Sequence, residues 1–519
     1  MKNLFSFAIF FAVATTLQAQ KAPSNWQNKS PKIDKIYGTS ADKAYELLKD
    51  KKAEEVIVAV IDSGVEVEHP DLKEVLWVNK GEIANNGIDD DKNGYIDDVH
   101  GWSFLGGATE DIDAEALEIA RIYHIEKTYF EGKNVSNFSD GDAARYQKYQ
   151  TIKSEFETEQ NNMLAQYKSV EVLSSYIANV KASANGVFSK KTNKAYVPKD
   201  EIETKVKKRI GLIFAFIKPE DLDHQVTEGA KQLGTTIKMN TVNADSIRRA
   251  VVGDDPYDYT NPYYGCNRYE GPDAMHGTHV SGIIAAKRGN GIGVEGIASN
   301  ARIMVLRAVP NGDERDKDVA NAIRYAVDNG AKVINMSFGK YYTINKKVVD
   351  DAILYAKSKD VLMVHAAGND AYNKDEKDSY PTRILDNGTT ASNWLDVGAS
   401  SSSKKGKKLI ADFSNYGKTS VDLFAPGVDI FSTTPDFKYE DASGTSMASP
   451  AAAGVCALIR GYFPELSAEE VKEVLMKTVE PYAKKVVIPG TKEQVLVNDI
   501  SISGGFISAA NAVEYLLKK

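Results

Sequence analysis

Short apolar runs rich in β-branched residues recur along this chain, and helical patterns separate most of them. The runs cover residues 56–61, 303–309, 333–336, 361–366 and 395–399. A continuous apolar run of this length is typical of a strand that is buried on both faces of a sheet. Strands that alternate with helices pair in parallel through right-handed crossovers. The sequence therefore predicts an α/β fold with three layers, αβα, built around a mainly parallel sheet.

The alternation of strands and helices stops between residues 107 and 252. This segment is rich in Lys, Glu, Gln and Tyr, and it holds long helical patterns over 142–180 and 199–233, the second interrupted at Pro219. We interpret residues 107–252 as a helical insertion that divides one α/β domain into two parts, 20–106 and 253–519. A structural or partner-contacting role is expected for the insertion, and the sequence indicates no specific activity for it.

The first 19 residues have the pattern of a secretory signal peptide. Lys2 precedes an apolar run that ends near Ala14 and is too short to cross a bilayer, and Ala19 is a small residue at a suitable cleavage point. A buried first helix is the alternative. No later segment is long and apolar enough to span a membrane. We therefore expect an exported protein, either periplasmic or secreted, without a transmembrane segment. About forty residues separate Ala19 from Asp62, so we expect no folding-assisting pro-domain before the core.

Charge and cysteine content exclude some classes of function. The net charge is −8 and no dense basic stripe is apparent, which argues against nucleic acid as a partner. Cys266 and Cys456 are the only cysteines. Two cysteines make no disulfide framework, and the sequence leaves open whether they pair.

Three short segments together supply the groups that activate a serine nucleophile. They are Val60–Gly64, His276–Gly282 and Gly444–Pro450, and they contain in turn a carboxylate, an imidazole and a hydroxyl. A serine hydroxyl needs a base to take its proton and an acid to orient that base. Asp62, His276 and Ser446 are the candidates for these three roles.

These segments resemble the motifs of the subtilase family, the subtilisin-like serine peptidases, in which the chain order is also Asp, His, Ser. The resemblance extends over residues 36–104 and 250–517. It implies a subtilisin-like fold and catalytic roles for Asp62, His276 and Ser446. We expect Ser446 to lie at the N-terminus of a buried helix over 448–460.

Two further segments match the family pattern. Asn369 follows an apolar strand, and the resemblance implies that its amide stabilises an oxyanion together with the Ser446 backbone N–H. Ser337, Phe338 and Gly339 resemble the edge at which an extended peptide substrate adds as a strand. Lys340 stands where the family often has a second glycine, so the shape and charge preference of the pocket are not predicted.

An oxygen-rich loop over residues 86–98 predicts a structural calcium site. Its candidate ligands stand at alternating positions, close to the spacing of an EF-hand loop, and are Asp89, Asp91, Asn93, Tyr95 (through its carbonyl) and Asp97. His100 occupies the position where an EF-hand has Glu. A solvated acidic turn is the alternative. Asp254, Asp255 and Asp258 are candidates for a second site.

The leading functional hypothesis is an exported serine endopeptidase that hydrolyses peptide bonds in polypeptides through an acyl-enzyme on Ser446. A peptide ligase or macrocyclase on the same fold is one alternative. A catalytically silent, calcium-dependent binding protein is another. The natural substrate, the side-chain preference and the oligomeric state are not predicted.

Overall fold

The computed structural model of this protein describes residues 22–214 and 217–519, so the predicted signal peptide lies outside the described residues. The described chain divides into two compact units, which we call the helical unit (residues 114–244) and the α/β unit (residues 22–113 and 245–519). In the part of the chain that is described, no helix combines the length and the apolar character that crossing a membrane requires.

Nine strands of the α/β unit form one sheet in the order β10-β13-β7-β6-β5-β4-β1-β3-β2. The strands are β1 Val56–Asp62, β2 Gly101–Ser103, β3 Ala301–Arg307, β4 Val333–Met336, β5 Leu362–Ala366, β6 Trp394–Ser400, β7 Leu423–Pro426, β8 Ile430–Thr434, β9 Lys438–Ala442, β10 Glu480–Pro481, β11 Val486–Val487, β12 Gln494–Val495 and β13 Gly505–Phe506. All neighbours in the sheet pair in parallel except β10 and β13. The remaining strands form two small hairpin sheets, β8-β9 and β11-β12.

Helices cover both faces of this sheet. In the α/β unit they are α1 Ala41–Leu47, α7 Ala244–Val251 (which begins at the boundary between the units), α8 Met275–Ala285, α9 Asp316–Asp328, α10 Lys346–Ser358, α11 Thr445–Tyr462, α12 Ala468–Lys477 and α13 Ala509–Leu516. Alternate residues of β1 point into two separate cores: Val58 packs with α8 and α11, whereas Ala59 packs with α9 and α10. The predicted three-layer α/β fold with a mainly parallel sheet is confirmed.

The helical unit contains the five remaining helices, which are α2 Glu118–Phe130, α3 Asp140–Ala182, α4 Lys190–Ala195, α5 Glu201–Ile213 and α6 Pro219–Met239. Its core joins α3 to α5 through side chains such as Tyr176, Ile177 and Ile210. Pro219 is the first residue of α6, a position where its missing N–H and fixed φ cost nothing.

The predicted insertion, residues 107–252, includes the helical unit and extends beyond it at both ends. At the C-terminal end, residues 245–252 belong to the α/β unit because a buried ion cluster attaches α7 to it. Arg248 of α7 is fully buried, and its guanidinium contacts the carboxylates of Asp318, at 2.7 Å, and Asp254, at 3.3 Å. Asp254 also accepts from Lys317 at 2.5 Å. Because its carboxylate neutralises two buried cations, Asp254 has a structural partner set that the sequence did not reveal.

Candidate active site

Three neighbouring strands of the sheet, β5, β4 and β1, each carry a predicted site residue at or just beyond the carboxyl end. Asp62 is the last residue of β1, Ser337 directly follows β4, and Asn369 follows β5. The carboxyl ends of parallel strands meet at one edge, which is where open α/β sheets place their functional groups. The sheet order therefore brings these residues together although they are far apart in sequence.

Asp62 and His276 form a hydrogen-bonded pair at this edge. The distance from His276 Nδ1 to Asp62 Oδ1 is 2.7 Å, and the Ser63 N–H also donates to Asp62 Oδ1 at 2.8 Å. The Asp62 side chain is 3% exposed and that of His276 is 38% exposed, so the carboxylate is buried and the imidazole is partly buried. Gly277 makes this approach possible, because a Cβ there would lie 2.1 Å from the carbonyl oxygen of Gly64.

The pKa of His276 is raised above its ordinary value of 6.5. Burial alone would lower this pKa, because it disfavours the charged form, but attraction and hydrogen bonding to the Asp62 carboxylate outweigh that effect. The ring is therefore a stronger base than free histidine.

Ser446 lies in the first turn of α11, which begins three residues earlier than predicted, at Thr445. Pro450 is consequently not in the first turn, and it withholds the amide that would bond to the Ser446 carbonyl. The Ser337 hydroxyl donates to that carbonyl instead, at 2.9 Å. The side chain of Ser446 also contacts Ser337, because its Oγ donates to the Ser337 carbonyl at 3.1 Å.

The hydroxyl of Ser446 is thus directed toward β4 in this conformer. Among the described residues, no hydrogen bond joins Ser446 Oγ to His276. The structure places the two residues at the same sheet edge, where His276 is hydrogen-bonded to Asp62 and Ser446 to Ser337. A rotation about the Ser446 Cα–Cβ bond changes the partner of Oγ without moving the backbone.

Asn369 is attached to α11 through its amide oxygen. Asn369 Oδ1 accepts from the Thr445 N–H at 2.8 Å and from Thr445 Oγ1 at 2.9 Å. This pattern fixes the amide orientation and leaves Nδ2 without a hydrogen-bond partner in the described chain. The Ser446 N–H, which belongs to the first turn of the helix, is likewise without one among the described residues. A Cβ on Gly444 would meet no atom closer than 3.5 Å, so no close contact requires glycine at this position.

A buried histidine, His365, contacts the backbone of the segment Ser337–Gly339. His365 Nε2 lies 3.0 Å from the Phe338 carbonyl oxygen, and its Nδ1 lies 2.8 Å from Asp396 Oδ1. Lys374 and Arg383 contact the same carboxylate at 3.1 and 3.3 Å. This pair was not predicted from the sequence, because only the pairing of β5 with β6 places His365 opposite Asp396.

Lys340 turns its charge inward. It is 4% exposed, and its Nζ lies 2.8 Å from Asp316 Oδ1 and 2.7 Å from the Glu314 carbonyl oxygen. Lys340 also pairs with Tyr380 in an antiparallel bridge. The lysine therefore ties the end of the candidate substrate edge to α9 and does not present a cation to the solvent.

The acidic loop brings together a different carboxylate set from the predicted one. The carboxylate oxygens of Glu82, Asp91 and Asp98 lie within 4.8 Å of one another. Of the predicted calcium ligands only Asp91 belongs to this group.

The other predicted ligands make contacts within the protein. Asp89 accepts the N–H groups of Asn93 and Gly94, and Asp97 accepts those of Asn86 and Gly87. Asn93 donates its amide to both Asp91 and Asp98, and Tyr95 packs its ring against Trp102. Glu82 was missed because it precedes the loop.

Both cysteine thiols are free: Cys456 is buried in α11, and Cys266 is half-buried near Asp111.

The fold and the site define an α/β protein with a serine hydroxyl, an imidazole and a carboxylate at the carboxyl edge of its sheet. The sequence profile described as the subtilase family matches residues 53–498. The chain belongs to the subtilase family.

Several proteases are similar to parts of this chain. The thermophilic serine proteinase of Bacillus sp. (strain AK1) is 37% identical over 255 residues, which is 46% of this chain and 59% of that protein. Thermitase of Thermoactinomyces vulgaris is 40% identical over 185 residues, 36% of this chain and 60% of its own length. The cell wall-associated protease of Bacillus subtilis (strain 168) is 36% identical over 260 residues, 50% of this chain and 27% of that protein. The chain thus spans less than two thirds of each of these relatives.

Proposed function

We propose that this protein is an exported serine endopeptidase that hydrolyses peptide bonds in polypeptides. The observation that carries the proposal is the 2.7 Å hydrogen bond between His276 and Asp62, with Ser446 at the same sheet edge. Membership of the subtilase family and the similarity to named proteases support it. In this proposal Ser446 is the nucleophile, His276 the base and Asp62 the acid that orients it, and each role can be tested separately.

In the proposed reaction, Ser446 Oγ turns from the Ser337 carbonyl to His276 Nε2 and transfers its proton there as it attacks the peptide carbonyl. Asp62 holds His276 with Nδ1 protonated and stabilises the imidazolium that forms. The imidazolium then protonates the leaving amine, and an acyl-enzyme remains on Ser446. Water, activated by the same imidazole, hydrolyses this ester.

The oxyanion of the tetrahedral intermediate would accept from Asn369 Nδ2–H and from the Ser446 N–H. Both donors are without partners in the described chain, and the amide oxygen of Asn369 is already engaged by Thr445. A donor that is oriented before the reaction costs no reorganisation when charge develops. The N-terminus of α11 adds a favourable dipole for a negative charge.

We place the substrate along Ser337, Phe338 and Gly339. The Phe338 carbonyl is occupied by His365, whereas in the described chain the N–H and C=O of Gly339 have no hydrogen-bond partner. An extended peptide therefore finds one residue with both backbone groups available, next to Ser446.

Calcium fits the group formed by Glu82, Asp91 and Asp98. Three carboxylates within 4.8 Å repel one another, and Asp98 is fully buried, so a hard cation with a preference for oxygen would offset the repulsion. We propose that these residues hold calcium in a structural role. We also propose that residues 1–19 direct export and that 107–252 is an insertion between the two parts of the catalytic domain.

Hydrolysis of a peptide library followed by mass spectrometry tests the proposed activity. The wild-type protein should produce fragments with free carboxyl termini, and Ser446→Ala should produce none. Adding an amine acceptor distinguishes the alternative: a ligase would give products extended by the acceptor. Folded wild-type protein that cleaves no member of the library would contradict the proposal.

A further inference from the structure

A basic groove lies between α4 and α5 of the helical unit, remote in sequence from every residue of the proposed active site. Its cavity volume is about 670 Å³, within the usual range for small-ligand pockets. Among the described residues its lining is Lys190, Asn193, Lys194, Thr204, Lys207, Lys208, Gly211 and Phe214. No acidic side chain belongs to this lining.

The local charge is opposite to that of the whole protein. Residues 190–214 contain eight Lys or Arg and three Asp or Glu, whereas the complete chain carries a net charge of −8. Two of the three acids have structural partners. Asp200 caps α5 by accepting the Glu203 N–H, and Glu203 accepts from the Lys199 N–H and from Tyr196. In the described chain, neither of these two carboxylates contacts a lysine ammonium of the groove.

The lysines of the groove divide into one structural cation and three available ones. Lys207 Nζ donates to the carbonyls of Lys194 and Tyr196 at the C-terminus of α4, at 2.9 and 2.6 Å. The ammonium groups of Lys190, Lys194 and Lys208 contact no carboxylate in the described chain. Three unneutralised cations around one concave surface repel each other, and a multivalent anion would remove that repulsion.

Asn193 adds a directional donor. It is 4% exposed, and its Oδ1 accepts from Tyr176 OH at 2.7 Å. The opposite end of the amide, Nδ2, has no hydrogen-bond partner in the described chain, and Asn193 lines the groove. Phe214 supplies an apolar wall. The groove thus offers hydrogen-bond donors and positive charge, without a carboxylate that would repel an anion.

We propose that this groove binds a multivalent phosphate-bearing anion. Four lysines line the groove, and lysine ammoniums bind phosphate groups as point charges. This site is independent of the proposed proteolysis.

Titration calorimetry of the full chain with sodium tripolyphosphate tests the proposal. We expect saturable binding at low ionic strength, weakened when salt is raised because screening shortens the range of the attraction. Lys194→Glu combined with Lys208→Glu should lower the affinity at least about tenfold, because two attractions become repulsions. Asn193→Asp should have a similar effect while it keeps the acceptor for Tyr176. Thermal unfolding of each variant confirms that it is folded.

Lys205→Glu is the matched control, since Lys205 lies on α5 but not in the groove. It should leave the affinity within about twofold of wild type, as expected for one partly screened surface charge. All variants share any effect of tripolyphosphate on bound calcium, so their differences report on the groove. The proposal is overturned if tripolyphosphate does not bind, if Lys205→Glu is as damaging as the groove variants, or if phosphatidylglycerol vesicles bind the protein while tripolyphosphate does not.

Discussion

The Ser446 carbonyl accepts a hydrogen bond from Ser337 Oγ at 2.9 Å, in the place of the amide that Pro450 lacks. A proline inside a helix removes one hydrogen bond of the i to i−4 pattern. Here the freed carbonyl belongs to the candidate nucleophile, and the group that satisfies it belongs to the candidate substrate edge. Because Pro450 leaves this carbonyl free, the hydrogen bond from Ser337 can attach the N-terminus of α11 to the end of β4.

Ser337→Ala should lower the free energy of unfolding by about 1–2 kcal/mol, because the Ser446 carbonyl loses its donor. The cost should be smaller when Pro450 is first replaced by alanine, which supplies a backbone amide at that position. A double-mutant cycle in urea measures this coupling. Additive effects of the two substitutions would show that the hydroxyl does not compensate for the proline.

Asp62→Asn should lower the pKa of His276. The attraction that raises this pKa disappears, whereas the burial that lowers it remains. NMR titration of the imidazole protons reports the value directly. For the proposed enzyme, the acid limb of the pH–activity profile should lie above 6.5 in the wild type and move to lower pH in the variant.

The same pair makes a contribution to stability that depends on pH. Since the folded-state pKa of His276 is raised, this contribution is complete below 6.5 and is lost as the pH rises through the folded-state value.

The residual activity of Asp62→Asn should be about 10⁴-fold below wild type, the loss typical when the acid of a triad is removed. An unchanged His276 pKa in the variant would contradict this account.

Asn369→Asp should reduce kcat by at least about 10²–10³-fold, the loss known for such a donor in subtilisin. The carboxylate still accepts from Thr445, so the melting temperature should stay close to that of wild type. Asn369→Ala loses both functions and should be less stable as well as less active. If Asn369→Asp lost stability and kept its kcat, the residue would be structural only.

His365→Phe should impair long substrates more than short ones. We expect His365 to act as a positioning residue through its contact with the Phe338 carbonyl, and phenylalanine fills a similar volume without that contact. The variant should show a raised KM for extended peptides and an unchanged kcat for a single-residue ester. A general structural defect would instead lower activity on both substrates equally.

Removing calcium with a chelator should lower the melting temperature. A ligand at 100 times its Kd stabilises the folded state by about 2.7 kcal/mol. Asp98→Asn should abolish the calcium-dependent increment, and Asp89→Asn, which keeps an oxygen to accept from one of the two N–H groups of Asn93 and Gly94, should retain it. The opposite result would favour the ligands expected from the EF-hand spacing.

Features that are encoded in local patterns could be predicted from the sequence, whereas features that depend on long-range pairing could not. The strand ending at Asp62 was visible because buried parallel strands are continuous apolar runs, and the three motifs are local. Short strands such as β13 carry no such signal. The pair of His365 with Asp396 and the group of Glu82 with Asp98 depend on strand register and loop folding, which local patterns do not contain. The predicted helix began at residue 448, three residues after the start observed at Thr445.

Labelling with a fluorophosphonate, followed by mass spectrometry of the digested protein, tests the central claim most directly. A serine activated by its neighbours reacts with this probe, whereas an ordinary hydroxyl does not. We predict one adduct, on Ser446, in the folded, calcium-loaded wild type, and none in His276→Ala. No adduct on folded wild-type protein, or an adduct on Ser337 in its place, would contradict the account.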